Sequence, residues 1–232
     1  QAGLETVAAD EITRDLGGEV KKVSRGIVVF KLDEVTPDLL KLRTTEDVYL
    51  LAWGSDSLAY TPDDLNLIRT WTARKPDWKR LFKLHHALRP KTKGRPTFNI
   101  VCQMQGEHGY RRTDARAAFT EGLAGVIPDG WQRADENPWL EFWLTIKGNL
   151  ATCGLRLSDR TMRHRTYKLD HVAASLRPTG CSWWASRPCS RSSTATALSS
   201  QEDSIARTRM DSLGSGGKSQ RSAGFAFCGG PH

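Results

Sequence analysis

Apolar positions in the first two-thirds of the chain recur at spacings that switch between helical and alternating. Residues 4–16, LETVAADEITRDL, put Leu4, Val7, Ala8, Ile12 and Leu16 on one helical stripe, which Gly17-Gly18 ends. EVKKVSRGIVVFKL then predicts a strand from about Val20, a turn near Arg25-Gly26, and a strand through Phe30 and Leu32. Thr36-Pro37-Asp38 opens a short second helix, with Thr36 as cap and Pro37 at the first helical position. DVYLLAWGS (47–55) predicts an apolar, aromatic strand.

Helix, strand, strand, helix, strand is the order of a ferredoxin-like unit without its first strand. The chain opens at Gln1 directly before a helical stripe, so the missing strand is expected in a trimmed N-terminus. Thr61-Pro62-Asp63-Asp64 caps a helical connection that Pro76 interrupts and WKRLFKLHHAL continues, with Lys75, Lys79, Arg80 and Lys83 as a charged face. KTKGRP is a basic loop, and TFNIVCQMQ (97–105) alternates as a half-buried strand. A helix over Asp114–Leu123 follows, capped by Thr113. The pattern over 139–157 is a hairpin turning at Gly148-Asn149. The fold class is therefore α+β, with residues 1–60 as the ferredoxin-like unit and 61–157 as a second α/β unit, of which 61–95 is a helical connection.

Composition changes this picture after residue 179. From Gly180 onward there is no Val, and Leu198, Ile205 and Leu213 are the only Leu or Ile residues. So few aliphatic groups cannot offset the ~1–2 kcal/mol per residue of backbone ordering entropy, and 180–232 is expected to be an unstructured tail. Its Ser-, Arg-, Ala- and Gly-rich makeup reads like out-of-frame translation of a GC-rich gene; a natural disordered tail is the alternative. The net charge of +8 divides into +3 on the tail and +5 on the first 179 residues, compatible with a polyanionic partner without demanding one. Cys102 and Cys153 lie in strand-like runs and read as small buried thiols, and the tail cysteines show no metal-ligand spacing. An odd cysteine count without a secretory signal points to the cytoplasm. No apolar run approaches the ~20 residues a bilayer span needs.

GLETVAADEI followed by GGEVKKVSRGIVVFKL resembles the N-terminal ferredoxin-like domain of THUMP-containing RNA methyltransferases. FNIVCQMQGEHGYRR, a small-residue helix and NPWLEFWLTIKGNLATCGLRL resemble the THUMP core, through Gly106, His108, Tyr110, Arg112, Asn137-Pro138 and Gly148. RHRTYKLDHVAASLRPT looks like the linker into the methylase domain, making 158–179 a basic linker. The resemblance implies RNA binding, at the acceptor end of tRNA, within a family that methylates guanosine using S-adenosylmethionine. Related modules serve tRNA thiolation enzymes and deaminases.

The catalytic chemistry of that family has no counterpart here. Gly214-Ser215-Gly216-Gly217 follows no apolar strand, and the only Asn-Pro, Asn137-Pro138, precedes Trp139 inside the THUMP-like core. The chain is expected to hold no cofactor and to lack the catalytic domain. His85-His86 are adjacent and share no helical face, so no metal site is expected. Glu107 has no second carboxylate or nucleophile placed near it.

RNA binding needs cations for phosphates and flat groups for unstacked bases. GEHGYRR offers Tyr110 for stacking, His108 for hydrogen bonding, and Arg111 and Arg112 for phosphates; equally, His108 and Tyr110 are fold residues of a strand-to-helix junction. The linker adds Arg160, Arg163, Arg165 and Lys168, and the loop before the alternating strand adds Lys91, Lys93 and Arg95; solvated charge is the plain alternative for both. Three functions compete: an RNA-binding fragment, an RNA-binding subunit serving a catalytic chain in trans, and an interaction protein without RNA.

Overall fold

The computed structural model describes residues 3–74, 76–90, 94–158 and 162, together with the backbone of 224–229. Its elements run α1 (Glu5–Leu16), β1 (Glu19–Ser24), β2 (Ile27–Leu32), a 3-10 turn (Pro37–Lys41), β3 (Val48–Ser55), α2 (Asp63–Arg74) and α3 (Trp78–Leu88). They continue with β4 (Thr97–Gln105), α4 (Arg112–Leu123), β5 (Gln132–Arg133), β6 (Leu140–Lys147), β7 (Leu150–Arg156) and β8 (Gly224–Gly229).

One eight-stranded sheet runs through both expected units in the order β1-β2-β8-β3-β7-β6-β4-β5. The first expected unit joins the second where β3 pairs antiparallel with β7, Tyr49 opposite Arg156 through Ser55 opposite Ala151. β4 and β6 pair in parallel, and α4 forms part of the connection between them. The α+β architecture expected from the sequence is the one observed.

Alternation along the strands divides the side chains between the two faces. Phe30, Val48, Leu50, Phe142, Leu144, Ile146, Cys153 and Leu155 enter the main core with Ile12 of α1, Ile68 of α2, Trp78 of α3 and Phe119 and Leu123 of α4. Their alternates Ile27, Tyr49 and Trp143 form a smaller cluster of their own. Cys102 and Cys153 are free and buried. Burial pushes the Cys102 thiol up to about 11 against the opposing charges of Arg112 and Arg116, leaving it an apolar filler rather than a nucleophile.

Three local expectations need correction. Thr36 makes no capping bond, and the element after it tightens to a 3-10 turn of five residues. α4 begins at Arg112 rather than at Asp114, because the Asp114 carboxylate reaches back to accept the Arg111 N–H at 2.9 Å; Thr113 is not the cap. Within the tail, Gly224–Gly229 form a strand, because β2 and β3 together present two open rows of backbone donors and acceptors. The rest of the tail lies outside the described residues.

Candidate nucleic-acid interface

The end of β1, the β1–β2 turn, the loop after β3, the end of β4 and the β6–β7 turn come close together, with Lys22 bridged to Asp56. Between them opens a cleft of about 740 Å³, lined among others by Lys22, Arg25, Asp56, Gln105, Lys147 and Asn149. Its walls are tied together by backbone. Gly148 N–H donates to Gln105 O at 3.1 Å, and Leu58 N–H donates to Asn149 O at 3.2 Å. The Asn149 side chain returns a bond to Asp56 O at 2.9 Å. Gly148 takes φ 58°, the left-handed conformation that this tight turn requires.

Three cations meet here with one carboxylate among the lining residues. Lys22 pairs with Asp56 at 2.9 Å, both ends exposed, a contact of small net worth. Lys147 is half-buried, and its pKa is pushed down by burial, with Arg25's charge adding to the effect and Glu5 opposing it. Glu5 is itself held low: burial raises its pKa, but backbone N–H groups, that of Gly26 foremost, outweigh it. An anion entering the cleft would relieve the electrostatic cost of bringing Lys147 and Arg25 together.

A flat group stands at the rim. Tyr60 is 43% exposed, and its ring meets the His108 ring edge-on at 5.0 Å. Tyr60 holds φ 65°, uncommon for a residue with a side chain. Gly109 donates its N–H to Tyr60 O at 2.7 Å, and a Cβ on Gly109 would stand 3.0 Å from that oxygen, so a side chain there would push the Tyr60 backbone back by a few tenths of an ångström. The loop after β4 thus props Tyr60 beside Gly148 and the cationic cleft.

The residues singled out from sequence fare unequally. His108 lies beside the cleft, half-buried against Tyr60 and Tyr110, with no hydrogen-bond partner among the described residues for either buried ring nitrogen. Tyr110 is only 7% exposed and belongs to the main core, where burial and the facing Asp64 carboxylate push its hydroxyl pKa up. A base cannot stack on a ring so enclosed, so the stacking role expected for Tyr110 is corrected; Tyr60 is the ring that faces solvent. Arg111 and Arg112 are exposed at the start of α4, at the cleft's end of the sheet. Arg95 is exposed and precedes β4, whose nine residues span roughly 30 Å at ~3.3 Å per residue, whereas the cleft residue Gln105 ends that strand. Lys91, Lys93, Arg160, Arg163, Arg165 and Lys168 lie outside the described residues.

Sequence reasoning missed Lys22, Arg25, Lys147 and Tyr60. The alternation of the hairpin puts Lys147 beside the Gly148-Asn149 turn, and that was the one local signal available. Nothing local connects it to Arg25.

The opposite end of the sheet is also charged but closed on itself. Asp47, fully buried, accepts from Arg156 at 2.7 and 2.9 Å and from the Ser158 hydroxyl at 2.8 Å. Glu141 accepts from Arg156 at 3.0 Å and from the Trp143 indole at 2.7 Å, and the guanidinium lies 5.5 Å from the Trp143 ring centre.

Among solved structures, the fold matches TrmN from Thermus thermophilus at 21% identity and a TM-score of 0.55, covering 72% of this chain and 46% of that one. It also matches a predicted N6-adenine-specific DNA methylase from Listeria monocytogenes str. 4b F2365 at 16% identity and a TM-score of 0.55, covering 79% of this chain and 45% of that one. The chain has a ferredoxin-like plus THUMP fold. It spans less than half the length of either matched structure. No family model and no curated protein sequence matches it. Among the described residues no helix is long and apolar enough to cross a membrane, and no group of three or more His, Cys, Asp or Glu is placed to hold a metal ion.

Proposed function

We propose that this chain is an RNA-binding module of a SAM-dependent RNA methyltransferase, with the cleft at the β1–β2 and β6–β7 turns as its phosphate-binding surface. The convergence of Lys22, Arg25 and Lys147 beside the exposed Tyr60 ring carries the reading. Cations neutralise phosphates, and an aromatic face receives an unstacked base; the cations line the cleft and the ring stands at its rim. The likeness to TrmN and to the Listeria methylase supports the placement of this module in a methyltransferase. An acceptor end of tRNA, which offers unpaired bases on a charged backbone, is the RNA that fits this chemistry. S-adenosylmethionine would belong to the catalytic domain and not to these residues.

An interaction protein without RNA is the weaker reading. Among the described residues, the exposed large hydrophobics are Val23, Tyr60 and Leu67, scattered rather than gathered into a docking patch. The test is binding of a tRNA acceptor-stem RNA over a salt series. A steep fall in affinity between 50 and 200 mM salt, as expected when several phosphates are neutralised, supports the proposal. Undetectable binding at 50 mM salt removes it.

A further inference from the structure

We propose that Gly224–Gly229 is the strand that assembles the cleft, so that RNA binding and docking of this C-terminal segment are thermodynamically linked. A β-α-β-β-α-β unit needs a strand before its first helix, lying centrally in the sheet. Here that place, between β2 and β3, is held by β8. β8 runs antiparallel to both neighbours, pairing Ile27–Leu32 along its full length and Val48–Leu50 on its other side. Its Ala226 sits in register between Phe30 and Leu50, two residues with no solvent exposure.

Among the described strands, β8 is the only sheet connection between the β1–β2 hairpin and the remainder. That hairpin and its turn carry Lys22, Ser24 and Arg25, whereas Asp56, Gln105, Lys147 and Asn149 come from the other side of β8. Among the described strands, the sheet thus joins the two walls of the cleft through β8, and the Lys22–Asp56 pair bridges them directly. A ligand that touches both walls stabilises the docked strand, and by linkage the docked strand strengthens the ligand to the same degree. The functional half of this inference rests on the RNA reading above; the structural half does not.

The experiment uses the full chain in two variants. Val28→Cys places a thiol opposite Cys228, and directly opposed antiparallel residues have Cα atoms ~4.5–5.5 Å apart, within disulfide range. Mild oxidation followed by peptide mapping is expected to find the new thiol joined to Cys228, with acceptor-stem RNA affinity kept at the wild-type level. Ala226→Pro removes a donor from a central strand, where proline is not accommodated. It is expected to speed amide exchange at residues 28–32 and 48–50 and to weaken RNA binding at least tenfold. Absence of the cross-link overturns the proposal, and so does unchanged exchange in the proline variant. If that variant fails to fold, the cross-link alone decides. Should the wild type bind no RNA, the RNA reading fails, while the cross-link and exchange still judge the strand.

Discussion

The two ends of the sheet hold similar charged groups and use them in opposite ways. At the Arg156 end, the guanidinium, Asp47, Glu141, Ser158 and the Trp143 indole answer one another, and the arginine is only 12% exposed. At the Lys147 end, three cations share a cleft with a single lining carboxylate, and burial holds the Lys147 pKa down against the opposing charge of Glu5. A closed network holds strands in place; an open one leaves charge for something that is not protein. The difference lies in which charges already have partners.

The comparison is broken most forcefully at Arg156. Arg156→Met leaves the Asp47 carboxylate buried without its cation, and a loss of about 3–5 kcal/mol in unfolding free energy is expected by denaturant titration. A loss under 1 kcal/mol would show that the closed end is not structural. His85 sharpens the same contrast, because its ring packs edge-on against Trp139, at the beginning of β6. Burial, reinforced by the charges of Arg89 and His86, lowers its pKa from 6.5 to about 4. The unfolded chain then binds more protons between those values. Stability is complete above pH 6.5 and falls as pH drops towards 4, by on the order of 3 kcal/mol, and a His85→Phe variant should lose most of that slope.

At the open end, effects should appear in binding and not in folding. Lys147→Ala combined with Arg25→Ala is expected to weaken acceptor-stem RNA by roughly 1–3 kcal/mol and to flatten the salt dependence by about 0.7–0.9 per phosphate lost, with an unchanged melting temperature. Tyr60→Ala should cost about 1–3 kcal/mol of affinity with the salt slope intact, as expected for a stacking ring, whereas Tyr110→Phe should leave affinity as it was. Arg95→Ala, at the far end of β4, is expected to change affinity least. An Arg95 effect equal to that of Lys147 would mean that the RNA follows a different surface.

The fold was legible wherever a stretch carried its own periodicity. The stripe of Leu4, Ala8 and Ile12 gave α1 to within a residue, and the alternation around Phe142 with Gly148-Asn149 gave the β6–β7 hairpin. β8 stayed hidden because GFAFCG is short and sits in a Ser- and Gly-rich setting; only the two open strands beside it make it a strand. The cleft was legible only in kind. A need for cations and a ring was foreseen, yet Tyr110 drew attention because two arginines follow it, and its burial depends on Asp64 and the core behind it. Lys22 and Lys147 stand more than a hundred positions apart, and no window of sequence contains both.

The order of strands has a consequence for how the chain is made. β2 and β3 are made well over a hundred residues before β8. Until then no other described strand pairs with their facing edges, and β3 waits for β7 on its other side as well. Nascent chains of this protein should therefore depend on holding factors that shield strand edges, and crowded expression should yield inclusion bodies seeded through the β2–β3 gap.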